Sequence, residues 1–239
     1  MNLHKISINK LFLLSSILFC FLINLYDPTW FLDSFRSIDP WLYYGTGEYF
    51  EYLKIHLSDT YYFRRWIVNL NNLLVSSLFG PFYGKFFLKN IILFFSIFFF
   101  KKIIFLISNN SLIITFTSIF FIFFLHKTIL HNIGTSYVQS ESILLFSIYI
   151  FLILTHNNET KKLFLITLII SLLLITHQAN IKWILASLSL FFFNKEFSFK
   201  LNQNIIKNIL SIFIWAFIFI LLFDNLVQLF LGIRLDNFF

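Results

Sequence analysis

The stretch FYGKFFLKNIILFFSIFFF, residues 82–100, decides the fold class. As a helix it has the length and apolar character of one passage through a bilayer, which takes about 20 predominantly apolar residues. Comparable runs lie on both sides of it. Leu11–Tyr26 comes before, and Leu112–Leu125, Ile143–Thr155, Leu163–Thr176, Ile181–Phe193 and Ile205–Phe223 come after. In hydrocarbon every backbone polar group must be satisfied within the chain, which excludes open sheets, and the runs are too long and too apolar for barrel strands. The expectation is an all-α, multi-pass transmembrane helical bundle of about seven spans, forming a single integral membrane domain over residues 1–239.

Composition points the same way. Of the 239 residues 59% are hydrophobic and 12% charged, with a mean hydropathy of +0.82. Soluble domains average roughly 45–50% apolar and about 25% charged residues. The 37 phenylalanines, with heavy use of Ile, Leu, Asn and Lys, look like the codon bias of an AT-rich genome, so much of the Phe excess carries no functional message. The single cysteine, Cys20, excludes a disulfide framework and a thiolate zinc site. Lys5 and Lys10 precede the first run in the layout of a signal peptide. No small-x-small cleavage site follows, and the segment is read as an uncleaved first span.

From Asp27 to Gly80 the character changes. This stretch, the first external loop at about 27–80, holds six acids and four bases, and eight of the ten tyrosines and three of the five tryptophans fall between Tyr26 and Tyr83. Tyr and Trp favour the headgroup level, so the loop is expected on the membrane surface. Asp27-Pro28 and Asp39-Pro40 mark turns, and Thr46–Leu57 suits a short helix. In WIVNLNNLLVSSLFG, Ile67, Leu70 and Leu74 line one face and Asn69, Asn72 and Ser76 another, the pattern of an interfacial helix that Gly80-Pro81 ends. With the N-terminus in the cytoplasm, nine bases fall on short inner segments, among them Lys101, Lys102, Lys161, Lys162 and Lys207, against two acids, Glu159 and Glu196. The positive-inside rule favours that orientation, with the aromatic loop outside a bacterial cytoplasmic membrane.

The densest polar constellation is SIDPWLYYGTGEYFEYLKIHLSDTYYFRRW, residues 37–66. Such a surface can meet a lipid headgroup and a water-side substrate together. Asp39 is the acid best placed to act, with Pro40 fixing the backbone and Trp41 and Tyr43 pinning the segment at the interface. As a general base it would accept a proton from an attacking hydroxyl, an effect of about 10² to 10⁴ in rate. The alternative is that Asp39 only caps the following helix. Arg64 and Arg65 can bind a phosphate or diphosphate through their guanidinium forks, or anchor the chain by snorkelling. Lys182, in THQANIKWILA at the outer end of the sixth span, can reach a lipid phosphate, and Lys85 and Lys89, four apart, can add to such a patch or snorkel. Glu48, Glu51 and Asp59 read as solvated loop charges.

Other motif classes fail. His126 and His131 lack a third ligand, and His56, His156 and His177 stand alone, so no metal site is expected. Gly45 and Gly47 make only GTG, far from a phosphate-binding loop. Several loop carboxylates are compatible with a divalent ion but form no specific ligand pattern, and no cofactor is implied. The runs at Leu112–Leu125 and Ile143–Thr155 hold no charge at all. Ion-coupled transporters usually carry ionisable groups near the midplane, so weight moves toward surface chemistry on a lipid-linked substrate.

This arrangement resembles the GT-C superfamily of polytopic glycosyltransferases, including the family 39-like mannosyltransferases. DPWLYYGTGEYF is similar to that family's acidic motif and the aromatic positions after it, YYFRRWIVNLNNLLVSSLFG to its interfacial helix, FFFKKIIFL to its basic exit, and LITLIISLLLITHQANIKWILASLSLFFF to its paired hydrophobic segment with an intervening lysine, here Lys182. The resemblance runs to about Phe223. It implies transfer of a sugar from a polyprenyl-phosphate carrier to an acceptor on the outer face of the membrane. Asp39 would be the catalytic base, with Asp33 as rival, and Arg64, Arg65, Lys182 and Tyr43 would hold substrate. The partners implied are a lipid-linked sugar donor and the membrane, with no nucleic acid. The competing readings are a non-enzymatic flippase, transporter subunit or scaffold, and an inactive truncated relative.

Overall fold

A computed structural model describes residues 8–32, 38–57, 65–107, 133, 139–155, 160–188, 190 and 203–231, with backbone only at residues 38–41, 57, 203, 204, 228, 230 and 231. Every regular element among them is helical. The order is α1 (Ile8–Tyr26), α2 (Ile38–Leu57), α3 (Trp66–Phe79), α4 (Pro81–Ile107), α5 (Gln139–Leu154), α6 (Thr160–Thr176), a 3₁₀ turn (Gln178–Asn180), α7 (Ile181–Ser187) and α8 (Gln203–Leu231). Three of these are long and apolar enough to cross a membrane: α1, α4 and the Ile205–Val227 part of α8. The described residues are therefore all-helical, with the apolar helix lengths of a membrane protein.

Local chemistry explains the boundaries. Asp27 accepts hydrogen bonds on Oδ1 from the Thr29 backbone at 3.0 Å and the Thr29 hydroxyl at 2.8 Å, closing the turn after α1. Gly80 has φ +75°, a conformation that favours glycine, and its N–H donates to Ser76 O at 2.8 Å to end α3. Pro81 then opens α4, where its missing N–H leaves no bond unmade. Asp39-Pro40 does not form a separate turn. Both residues lie in the first turn of α2, which starts eight residues before the expected Thr46 and kinks at Tyr49 (φ −120°, ψ 34°).

Helix directions follow from the contacts. Phe12 packs on Phe105 and Asn24 bonds Asn90, so α1 and α4 are antiparallel. Lys89 bonds Ser140 and Phe99 packs on Phe151, so α4 and α5 are parallel. The α5–α6 pair is antiparallel, with Asn180 bonded to Ser142 at one end and Lys162 to Thr155 O at the other. Helices α6 and α8 are parallel, sharing a cavity at Thr160 and Asn208 and a cluster at Ile175 and Val227. The end of α4 and the start of α5 thus lie at opposite ends of the bundle, as do the end of α6 and the start of α8. The span expected at Leu112–Leu125 lies outside the described residues, and of Ile181–Phe193 the helix described is Ile181–Ser187.

Helix α3 crosses the end where α1 finishes and α4 begins, and two glycines let it approach. A Cβ on Gly84 would overlap the Val75 carbonyl, and one on Gly47 would overlap the Ser76 hydroxyl. Asn69 and Asn72 of α3 are buried, Ile67 and Leu70 pack against a cluster with Ile175 and Val227, and Leu74 and Leu78 are exposed. Asn69 Oδ1 accepts from the Thr46 hydroxyl of α2 at 3.3 Å. Nearby, Asn24 Nδ2 donates to Asn90 Oδ1 at 2.6 Å and Trp30 Nε1 donates to Asn24 Oδ1 at 2.9 Å, a polar clasp between α1 and α4. Beneath lies an apolar core that includes Phe19, Phe31, Ile92 and Leu93, and a second cluster joins α5, α6 and α8 through Tyr149, Ile170 and Ile212.

Candidate functional site

Polar and charged side chains gather at the α3 end of the bundle. Tyr43 on α2 is buried, and its hydroxyl accepts a hydrogen bond from Arg65 Nη1 at 2.7 Å, with the guanidinium 6.0 Å from the ring centroid. That hydrogen bond positions the guanidinium. Arg65 is the N-cap residue of α3, its carbonyl accepting from Val68 N at 3.0 Å, so its side chain projects from a helix start held on buried neighbours.

His177 lies between α6 and the 3₁₀ turn. Its Nδ1 accepts from the Ala179 N–H at 3.1 Å, and Asn180 braces the turn through Leu173 O and the Ser142 hydroxyl, both at 2.9 Å. The imidazole is held below its usual pKa, first by burial and then by the positive charges of Arg65 and Lys182. A neutral ring whose Nδ1 accepts carries its proton on Nε2, as a donor. Lys182 itself is exposed near the start of α7. Tyr43 and Arg65 are thus in direct contact, and the charges of Arg65 and Lys182 both act on His177.

The next tyrosine, Tyr44, turns toward α4, where Lys85 Nζ lies 4.9 Å from its ring centroid. Lys85 and Lys89 are only 3% and 1% exposed, so neither snorkels to the surface. Lys89 Nζ donates to Ser140 Oγ at 2.7 Å, and Ser140 Oγ donates in turn to Glu141 Oε2. Glu141 is 4% exposed, and its Oε1 has no hydrogen-bond partner among the described residues. Lys101 is also buried, donating to Ser15 Oγ at 2.7 Å, and Lys102 lies 4.6 Å from the Phe98 ring centroid. Both belong to α4, and the expectation that they occupy an inner connection is corrected. So is the expectation that ionisable groups keep to the rim, since burial here is supplied by neighbouring helices.

Trp66, beside Arg65, donates from Nε1 to Asp224 Oδ1 at 3.2 Å, joining α3 to α8. Asp224 is 4% exposed and its Oδ2 has no partner among the described residues. Sequence reasoning passed over Asp224 and Glu141 and set His177 aside as a lone histidine. The signal available was a lone acid at the edge of an otherwise uncharged apolar run, which is expensive to bury and seldom placed without a partner.

Glu48 and Glu51 are exposed, as solvated loop charges should be. Asp33, Asp59, Arg64 and the Asp39 side chain lie outside the described residues; the Asp39 backbone occupies the second position of α2, inside the first turn and not at its N-cap. Among the described residues no three of His, Cys, Asp and Glu come together. Two positive charges, Arg65 and Lys182, acting on a neutral imidazole donor suit an anion. Compared with known proteins, the chain matches no family model, no curated protein and no solved structure.

Proposed function

We propose that the protein is a multi-pass membrane glycosyltransferase that moves a sugar from a polyprenyl-phosphate carrier to an acceptor on the outer face of a bacterial cytoplasmic membrane. The observation that carries this reading is the Arg65 guanidinium held on Tyr43 at the α3 end of the bundle, with the charges of Arg65 and Lys182 both acting on His177. A guanidinium fork grips two phosphate oxygens and an ammonium adds a point charge. Here they stand at one end of the bundle, level with the headgroups in the proposed topology. Seven spans account for the helix directions if 108–138 and 181–202 each carry one crossing, and α2 and α3 are then the interfacial helices of the outer loop. The exposed Leu74 and Leu78 of α3 support that placement.

In the proposed reaction Arg65 and Lys182, with Arg64, hold the carrier phosphate and stabilise its charge as it leaves. Asp39 takes the proton of the acceptor hydroxyl, whose oxygen attacks the anomeric carbon. Direct attack inverts the configuration there. The test is release of polyprenyl phosphate from a sugar-loaded carrier by the purified protein in lipid. Asp39→Asn should abolish release at unchanged folding, and Arg65→Ala should raise KM for the carrier; an active Asp39→Asn protein would remove Asp39 from its role.

A second reading, transport or flipping of an anionic lipid, is favoured by the buried Lys89–Ser140–Glu141 chain and by Asp224, the kind of interior groups that mark substrate paths. Movement of the carrier across vesicles without loss of its sugar would select it.

A further inference from the structure

At the opposite end from the cationic site, α6 and α8 enclose a cavity of about 330 Å³. Its polar residues are mostly near one mouth, where Thr160, Asn208 and Ser211 line it. Beyond them the walls become largely apolar, formed by Leu163, Ile212, Trp215 and Phe219 with Thr167, whose hydroxyl is bonded to the Leu163 carbonyl. Trp215 is half exposed, so the groove opens outward and not into the core. From Asn208 to Phe219 it extends about 16 Å along α8 at the helical rise of 1.5 Å per residue. That is one leaflet of a hydrocarbon core about 30 Å thick.

The mouth carries charge. Lys161 and Lys207 are both exposed. On their helices Lys161 shares a face with the cavity residue Phe164, three on, and Lys207 with Ser211, four on. Two lysines from two helices therefore stand at the polar end of an apolar groove one leaflet long.

We infer that this groove holds one acyl chain of an anionic glycerophospholipid, with Lys161 and Lys207 on the lipid phosphate and Thr160, Asn208 and Ser211 at the level of the glycerol esters. Opposite charges meet at the mouth, and the apolar length matches one chain of one leaflet. The site is a helix length from Arg65 and His177, so the bound lipid is not the substrate proposed for that end, and the inference stands without that proposal.

Trp215 provides the readout. The full chain is placed in bilayers containing phosphatidylglycerol or phosphatidylcholine with brominated acyl chains, and fluorescence quenching is compared between the native protein and Trp215→Phe to isolate this ring. Half-quenching of Trp215 should need roughly ten-fold less brominated phosphatidylglycerol than phosphatidylcholine, from about 1 kcal/mol per basic residue reduced by screening. In Lys161→Gln/Lys207→Gln the preference should vanish while the circular dichroism spectrum is unchanged. Single Lys→Arg changes should keep it. Equal quenching by the two lipids in the native protein, or a preference that survives in the double variant, overturns the inference.

Discussion

Helices α4 and α8 have nearly the same hydropathy, 2.2 and 2.4 over their most apolar stretches, yet they differ in how much of that stretch is buried. In α4 28% of that stretch is buried, and Lys85, Lys89 and Lys101 point into neighbouring helices. In α8 only 11% is buried, and Leu210, Ile214, Phe217, Leu221 and Leu222 face outward. Hydropathy measures the cost of leaving water and is blind to which solvent replaces it, lipid or protein. The lysines distinguish the two, because an ammonium inside the membrane needs a partner that another helix must supply.

Substitutions should separate the two helices, and the largest difference is expected at close backbone approach. Gly84→Leu on α4 drives a side chain into the Val75 carbonyl of α3. It should cost more than about 4 kcal/mol and prevent accumulation of folded protein. Leu222→Ala on the outward face of α8 should change stability by no more than about 0.5 kcal/mol. Unfolding in mixed micelles measures both, and similar losses would erase the contrast.

Removing an inward charge should come next. Lys89→Ala leaves Ser140 and Glu141 buried without their cation, at about 3 kcal/mol. Adding Glu141→Gln should recover part of that loss, and additive effects in a double-mutant cycle would show that the two are not coupled. The tether between α3 and the one buried carboxylate of α8 should matter less. Trp66→Phe removes the hydrogen bond to Asp224 and should cost about 1–2 kcal/mol; no change, with native packing retained, would mean that the bond contributes nothing.

The smallest effect is a titration near the junction of α3 and α6, between the two long helices. His177 is depressed in the folded protein by burial and then by Arg65 and Lys182. The unfolded chain therefore binds its proton first as pH falls. Stability should decline as pH drops below about 6.5, the ordinary histidine value, and level off once the folded protein is also protonated. His177→Gln should flatten this dependence, and an unaltered profile would assign the decline to another group.

Much of the fold was legible because burial in lipid selects long apolar runs: residues 82–100, 163–176 and 205–223 each lie inside a helix. Gly80-Pro81 was legible because its chemistry is local. The face of α3 was not, since the periodicity of Ile67, Leu70 and Leu74 shows that a helix has two sides but not which side meets protein. The site was legible in part. Arg65, Tyr43 and Lys182 carry their chemistry in their residue types, whereas the roles of Glu141 and Asp224 depend on Lys89 and Trp66, which lie 52 and 158 positions away in the sequence.

The contact between Lys101 and Ser15 has a consequence for biogenesis. Helix α4 carries an ammonium whose described acceptor is on α1, so α4 released alone into lipid would expose that charge to hydrocarbon, at several kcal/mol. A pairing of α1 with α4 during insertion would spare that cost, and it would tie the lysine to a serine made 86 residues before it.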